Sequence, residues 1–320
     1  GHGCPITMTF AAVPALRAQP EIAAIWEPRV TSWKYDGDDK PADQKLGATL
    51  GMFMTEKQGG SDVRANSTRA TPDSNATGPG AAYRLVGHKW FCSAPMSDAF
   101  LSLAYTDKGL SCFLVPRWRP DGTRNNLFLQ RIKDKLGNRS NASTEMEFAD
   151  TYGVMVGEEG RGIRTIIEMI TGNRLYCAMA SAGIMRQALV QALHHTSHRS
   201  AFQKRLVAQP LMRNVLADMA LETEAALALG LRMAKAMDQR ADTHEANLAR
   251  IGTAVAKYWN CKRCPPLVGE ALECHGGPGY VEESIMPRLY REAPLNSIWE
   301  GSGNVMGLDV MRAMGREPDT

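Results

Sequence analysis

The chain has 320 residues, 44% of them hydrophobic and 22% charged, with a formal net charge of +3. That length can bury a large core and suggests about two structural units of an ordinary globular protein. The charge is too small for the concentrated basic face that nucleic-acid binding requires, no run approaches the roughly 18 apolar residues of a membrane span, and no secretory signal opens the chain.

Seven cysteines (Cys4, Cys92, Cys112, Cys177, Cys261, Cys264, Cys274) are scattered along the chain. An odd number in a long sequence fits free thiols in a reducing, cytoplasmic compartment better than a disulfide scaffold. The chain opens Gly1-His2-Gly3 without an initiator Met, as a piece of something longer would.

Residues 1–50 begin with an Ala-rich, helix-compatible run ending near Pro20, followed by a polar turn-rich connection from Tyr35 to Pro41. From Leu50 the pattern becomes that of strands. Leu101, Leu103 and Tyr105 alternate with Ser102 and Ala104, as in a half-buried strand, and Thr144, Met146 and Phe148 alternate with Glu145 and Glu147. Gly109–Pro116 reads as a compact strand ending at proline, and Thr71 to Gly80 and Pro120 to Asn126 as exposed loops. These features predict an antiparallel β-domain over 51–156, a barrel or sandwich. After Gly157 the period turns helical: Ile163, Ile166, Ile167 and Ile170 share a helix face, and that helix continues to about Arg199. Further helices are expected from Leu211 to Arg240, from His244 to Cys274 with a kink or break at Pro265-Pro266, and from Ser302 to Met314. Four helices with short connections predict a four-helix bundle over 157–320, and the fold class is α+β.

Four stretches combine glycines with chemistry-bearing residues. Around Glu300, the apolar Ile298-Trp299 pair precedes Gly301, Ser302, Gly303 and Asn304. An indole beside a carboxylate disfavours its charged form and raises its pKa toward general-base values, and the glycines let backbone lie against a planar ligand. The plainer reading is a helix entry with Ser302 as N-cap. Met54 to Val63 places two glycines beside Thr55, Ser61 and Asp62, which offers backbone N–H groups and hydroxyls to a polar ring edge or phosphate, or simply makes a hydrophilic loop. Gly87 to Ser93 is an aromatic strand end, or a strand with a buried Trp90. Cys274 to Tyr280 carries three glycines in four positions, more than a helix C-cap uses.

In this order and at similar spacing, MTEKQGGSDV, GHKWF, DKLGNRSN, ADMA, GGPGY and IWEGSGN resemble the acyl-CoA dehydrogenase superfamily of flavoproteins over residues 50–315. The detail of MTEKQGGSDVRANSTRA, GLSCF and DKLGNRSNAS is most similar to the AidB-like branch, linked to the bacterial adaptive response to alkylation. The resemblance implies FAD, an acyl-CoA thioester substrate, a β-domain between two helical domains, and a homotetramer built as a dimer of dimers. It implies flavin contacts for Met54, Thr55, Gly60 and Ser61, ring packing for Trp90, and FAD contacts for Gly276, Gly277, Trp299, Ser302 and Asn304. Arg199, Phe202 and Gln209 resemble the segment that reaches the FAD of a neighbouring subunit. Where the family often places a Thr near flavin N5, this chain has Cys92 or Ser93. Glu300 matches the catalytic base; the alternative family position is Asn173, before Arg174, which cannot act as one. Residues 1–50 are expected to be a remnant of an N-terminal helical domain that is mostly missing. DNA enters only through the resemblance, since the basic C-terminal extension of AidB-like chains does not follow Arg316. A damage-response flavoprotein with little dehydrogenase activity is therefore the alternative to the enzyme. Cys261, Cys264, Cys274 and His275, like His194, His195 and His198, read as helix residues rather than metal ligands, and no metal is expected.

Overall fold

The computed structural model describes residues 2–316. The last four residues of the helical region expected over 157–320 lie outside the described residues. The chain divides into two compact units, one running to Lys135 and including Arg139–Asn173, the other comprising Leu136–Asn138 and the chain from Arg174 onward.

The first unit opens with helices α1 (Gly3–Ala11), α2 (Val13–Arg17) and α3 (Pro20–Val30). The first helical run ends at Arg17, near Pro20 as the sequence predicts, and Pro20 then starts α3, because proline lacks only an N–H that the first turn leaves unpaired anyway. Seven strands follow: β1 (Leu50–Phe53), β2 (Arg69–Pro72), β3 (Ala82–Ser93), β4 (Ala99–Thr106), β5 (Gly109–Pro116), β6 (Leu127–Ile132) and β7 (Ser143–Val156). The sheet runs β1-β4-β2-β3-β7-β5, β6 pairs with β7, and β4 also pairs with β5, so the pairings from β4 through β2, β3, β7 and β5 return to β4.

The sheet is mixed rather than wholly antiparallel, which corrects the sequence expectation. β1 lies parallel to β4, Leu50 opposite Ala99 through Phe53 opposite Ser102, and β2 meets β4 in parallel at Arg69 and Tyr105. Two whole strands and their loops separate β1 from β4, which supplies the crossover length that a parallel pair requires.

β4 also differs from the half-buried strand expected of it, because both of its faces are covered. Leu101 and Leu103 join a cluster with Met8, Ala12, Leu16 and Trp26 from the N-terminal helices. Phe100 and Ala104 face a second cluster with Phe53, Tyr83, Phe113 and Phe148. In β7 the alternation of Thr144, Met146 and Phe148 with the two glutamates is as the sequence predicts.

The second unit takes over at Arg174, within α4 (Gly162–His198), and continues through the short hairpin β8 (Ser200–Ala201) and β9 (Lys204–Arg205). The long helices α5 (Pro210–Asp238) and α6 (Thr243–His275), the short α7 (Gly277–Tyr280) and α8 (Met286–Glu292), and α9 (Gly303–Arg316) complete it. Its core uses small and flexible side chains: Ala182, Met185, Ala188 and Ala192 of α4 against Leu216 and Met219 of α5 and Cys264, Val268 and Ala271 of α6. The helices approach closely enough that a Cβ on Gly230 would stand 2.4 Å from the Met179 sulfur. Of the kink or break expected at Pro265 and Pro266, the break does not occur: α6 runs unbroken through both. Cys264, Leu267 and Val268 are buried on either side of the prolines, and that packing offsets the lost helix hydrogen bonds.

Candidate active site

Residues 54–68 form a loop whose fixed point is Glu56, which is 2% exposed. Its carboxylate accepts from Lys89 Nζ at 2.7 Å, Ser67 N at 2.6 Å, Ser67 Oγ at 2.9 Å, Thr68 Oγ1 at 2.5 Å and Gln58 Nε2 at 2.7 Å. Burial alone would push this carboxyl up; the Lys89 ammonium and the donors from Ser67 and Thr68 outweigh it and hold it at about 2. Lys89 is fully buried on β3, where its second partner is the Leu103 carbonyl at 2.8 Å, and burial pushes its ammonium down.

The loop is stitched to β3 beside this pair. Trp90 N donates to Thr55 O at 2.8 Å, and Asn66 Nδ2 donates to Met54 O at 2.8 Å. Gly87 is required by close approach, since a Cβ there would lie 2.4 Å from Thr68 Oγ1 and 2.8 Å from Thr68 Cα. The result holds Gly60 and Ser61 out to solvent on a rigid base. Glu56 and Lys89 went unnoticed in the sequence reading; a charged residue inside each of two glycine-marked motifs was the available signal.

Trp90 is half-buried, with Lys133 Nζ 4.0 Å from its ring centroid, a cation–π contact. Of the two candidates beside it, Cys92 is wholly buried in the apolar cluster with Met146 and Phe148, so its thiol does not reach a ligand face. Ser93 remains, its Oγ 3.3 Å from Ser143 Oγ. Two residues before Ser143, the Asn141 amide is buried with both its nitrogen and its oxygen unpaired within the protein.

In the second unit, Glu300 sits in a left-handed turn with φ +56°, and Gly301 follows at φ +96°. A non-glycine residue held there costs about 1–3 kcal/mol and persists only where the surroundings impose it. Two cations do so, Arg174 partly and Lys257 fully buried. Arg174 Nε of α4 donates to the Glu300 carbonyl at 3.0 Å, and Lys257 Nζ of α6 donates to the Gly301 carbonyl at 2.5 Å. Asp309 of α9 holds Arg174 at 3.0 Å and Arg250 at 3.1 Å, tying three helices together behind the loop. Trp299 Nε1 donates to Asn296 Oδ1 at 3.0 Å, and Asn296 Nδ2 to Ser181 Oγ at 3.2 Å. Burial, and after it the Glu300 carboxylate, raise the Cys177 thiol well above its usual range. Ser302 stands just before α9 and its carbonyl accepts from Met306 N at 3.0 Å, so the helix-entry reading holds within the same loop. Asn304 is exposed in the first turn of α9.

The two-residue turn of the β8–β9 hairpin consists of Phe202 and Gln203, both at positive φ, and leaves the Phe202 ring 91% exposed. Arg199 precedes the hairpin, and Gln209 Nε2 donates to Ala201 O at 3.2 Å, so all three predicted residues share this corner. Gly276, at φ +63°, caps α6, and neither it nor Gly277 has an atom within 4 Å of a built Cβ. Among the described residues no group of three or more potential ligands could hold a metal ion, and no helix is long and apolar enough to cross a membrane.

The predicted residues therefore fall into four groups: Met54, Thr55, Gly60, Ser61, Trp90 and Ser93 in the first unit; and Arg199, Phe202 and Gln209, then Gly276 and Gly277, then Trp299, Glu300, Ser302 and Asn304 in the second. Each can hold part of FAD. Exposed Gly60 and Ser61 and the unpaired Asn141 amide offer polar contacts to a ring edge, exposed Arg199 offers a cation to a diphosphate, and open Gly276 and Gly277 allow close approach.

Comparison with known proteins agrees in order and extent. Residues 51–151 match the acyl-CoA dehydrogenase middle domain, residues 160–315 the acyl-CoA dehydrogenase C-terminal domain, and residues 1–37 the adaptive response protein AidB N-terminal domain. The chain is 53% identical to the putative acyl-CoA dehydrogenase AidB of Escherichia coli, across 99% of this chain and 58% of that one. It is 33% identical to acyl-CoA dehydrogenase family member 11 of Caenorhabditis elegans, across 97% of this chain and 51% of that one. The crystal structure of Caenorhabditis elegans ACDH-11 in complex with C11-CoA superposes with a TM-score of 0.88 at 32% identity, covering 98% of this chain and 54% of that one. The chain thus spans between half and three-fifths of the length of these relatives. With the motif order, the β-rich middle region and the helical C-terminal region all in agreement, the chain belongs to the acyl-CoA dehydrogenase family, in its AidB-like branch.

Proposed function

We propose that this chain carries the flavin-binding and base-bearing part of an FAD-dependent acyl-CoA dehydrogenase, which removes the α and β hydrogens of an acyl thioester. The observation that carries the reading is the Glu300 loop, where two largely enclosed cations and a glycine impose a strained left-handed turn on the one carboxylate at the family's base position. Backbone strain so firmly imposed is a mark of positioning for chemistry. FAD, when bound, supplies the acceptor for the hydride that leaves the β-carbon. Glu300 takes the α-proton, and Arg174 and Lys257 fix the backbone from which its carboxylate reaches out. Met54, Thr55, Gly60, Ser61, Trp90 and Ser93 bind the flavin, and Arg199, Phe202, Gln209, Gly276 and Gly277 bind FAD of a neighbouring subunit.

The same proposal takes the closed circuit of strand pairings as a β-barrel, α4, α5, α6 and α9 as a four-helix bundle, and 1–50, 51–156 and 157–320 as the domain division. It also includes a homotetramer, supported by the exposed Leu211, Leu221 and Leu231 of α5 and Leu308, Met311 and Met314 of α9. A second reading, a flavoprotein of the alkylation response with little dehydrogenase activity, is favoured by the match of residues 1–37 to the AidB N-terminal domain.

The test is an anaerobic titration of the purified, FAD-loaded protein with a panel of acyl-CoA thioesters. Bleaching of the flavin absorption by one of them, lost by about 10²–10⁴-fold in rate in Glu300→Gln while the protein stays yellow, supports the dehydrogenase. No bleaching together with salt-sensitive DNA binding supports the second reading, and a chain that never takes up FAD defeats both.

A further inference from the structure

Lys257 is 1% exposed, and its ammonium lies among groups from two helices and the base loop. Cys177 and Arg174 face it from α4, Cys261 from α6 itself, and Glu300 from the loop. Burial pushes the lysine down, while the Glu300 carboxylate opposes that. Burial also raises the Cys261 thiol, and the Cys177 thiol stands well above its usual range, so both are neutral near pH 7. The remaining charges are Arg174 and Lys257 against Glu300, with Asp309 shared by Arg174 and Arg250 and 3.8 Å from Arg312.

A buried lysine needs a reason, because desolvation makes it one of the least favourable side chains to enclose. Its hydrogen bond goes to the Gly301 carbonyl, next to the residue whose backbone is strained. A hydrophobic side chain would fill the same space but would neither hold that carbonyl nor attract a carboxylate. The geometry points to Lys257 as a positioning residue that holds the left-handed turn of Glu300 through the Gly301 carbonyl and keeps a positive charge beside the carboxylate. This role rests on the reading of Glu300 as the base. It assigns different work to the two cations: Arg174 divides its hydrogen bonds between Asp309 and the Glu300 carbonyl, whereas Lys257 donates to the Gly301 carbonyl of the base loop.

Three variants separate the components. Lys257→Met removes both charge and donor, Lys257→Gln keeps a donor without the charge, and Lys257→Arg keeps both. Two readouts are used: hydrogen exchange of the 299–303 backbone, which does not depend on turnover, and the pH profile of kcat/KM on whichever acyl-CoA bleaches the flavin. In Lys257→Met, exchange of the loop rises at least tenfold and the acid limb of the profile moves up by about one pH unit or more, as loss of a neighbouring opposite charge requires. Lys257→Gln moves the limb with a smaller rise in exchange, and Lys257→Arg restores both toward the parent protein. Unchanged exchange at the loop in Lys257→Met overturns the role, as does a uniformly lower rate with an unmoved acid limb, which is what a merely structural lysine gives. If Glu300→Gln retains full activity the base reading fails by itself, and loop exchange still decides whether Lys257 holds the turn.

Discussion

The buried Glu56–Lys89 pair gives a sharp test, because its two halves are unequally provided for. Removing either partner leaves the other charge enclosed, and breaking a buried pair this way typically costs about 3–5 kcal/mol. The structure sets an order within that range. Lys89→Met leaves the Glu56 carboxylate with donors from Ser67, Thr68 and Gln58. Glu56→Gln leaves the Lys89 ammonium with the Leu103 carbonyl. Each stranded charge can also escape by neutralising. For lysine at pH 7 that costs about 1.36 kcal/mol for each of roughly 3.4 pH units, about 4.6 kcal/mol, and for glutamate over roughly 2.7 units about 3.7 kcal/mol.

Glu56→Gln is therefore expected to cost about 4–5 kcal/mol and Lys89→Met about 3–4 kcal/mol, with the double variant less destabilised than the sum. The assay is urea denaturation of the full chain by fluorescence, since the first unit contains Trp26, Trp33, Trp90 and Trp118. Flavin content should fall in the same order, because the pair anchors the loop that carries Gly60 and Ser61. A Lys89→Met variant costing more than Glu56→Gln, or either costing under about 1 kcal/mol, refutes the reasoning.

Three further outcomes follow from the same contacts. Glu56 is held at about 2 in the folded chain against about 4.3 unfolded, so its contribution is complete above the unfolded value and lost as pH falls through the folded one; acid titration should show roughly 3 kcal/mol of stability lost between about pH 4.3 and 2, and a flatter curve in Glu56→Gln. Gly137→Ala would set a Cβ 2.4 Å from the Arg291 carbonyl oxygen, a backbone atom, and should destabilise the second unit by about 1–3 kcal/mol in a thermal melt; an unchanged midpoint contradicts it. Of the seven thiols, six are buried, so a thiol reagent should modify no more than Cys4 in the native protein and all seven after unfolding.

The sequence carried the outline of the fold because its elements announce themselves locally. Gly109–Pro116 is bounded by a glycine and a proline, and the spacing of the isoleucines marks the start of α4. What it did not carry were relations set by tertiary pairing. β4 reads as half-buried because Ser102 and Ala104 are small, and only its place between two clusters shows that smallness to be packing. The parallel β1–β4 pair has no local signature, since register between residues 49 positions apart, Leu50 and Ala99, is a property of the whole unit. The Pro265-Pro266 pair shows the same limit: the intrinsic penalty was read correctly, and the packing around it kept α6 unbroken.

The candidate site divides along the same line. Motif order singled out Glu300, the Met54 loop, Trp90 and the glycine pair, the positions proposed to meet a ligand. The residues that make those positions rigid were passed over: Glu56 and Lys89 under the loop, and Arg174, Lys257 and Asp309 behind the turn. All five are charged and all five are largely enclosed, with Lys89 and Lys257 at 0% and 1% exposure. By composition each is an ordinary surface residue, and nothing in a linear reading distinguishes a lysine facing water from one facing a carbonyl. The distinguishing observation is burial, because an enclosed charge persists only where a specific partner requires it. Here the partners are the Glu56 carboxylate, which fixes the Met54 loop, and the Glu300–Gly301 carbonyls. A search for functional residues in this fold is therefore better begun from its buried charges than from its motifs alone, since motifs mark what touches a ligand and buried charges mark what holds the motif still.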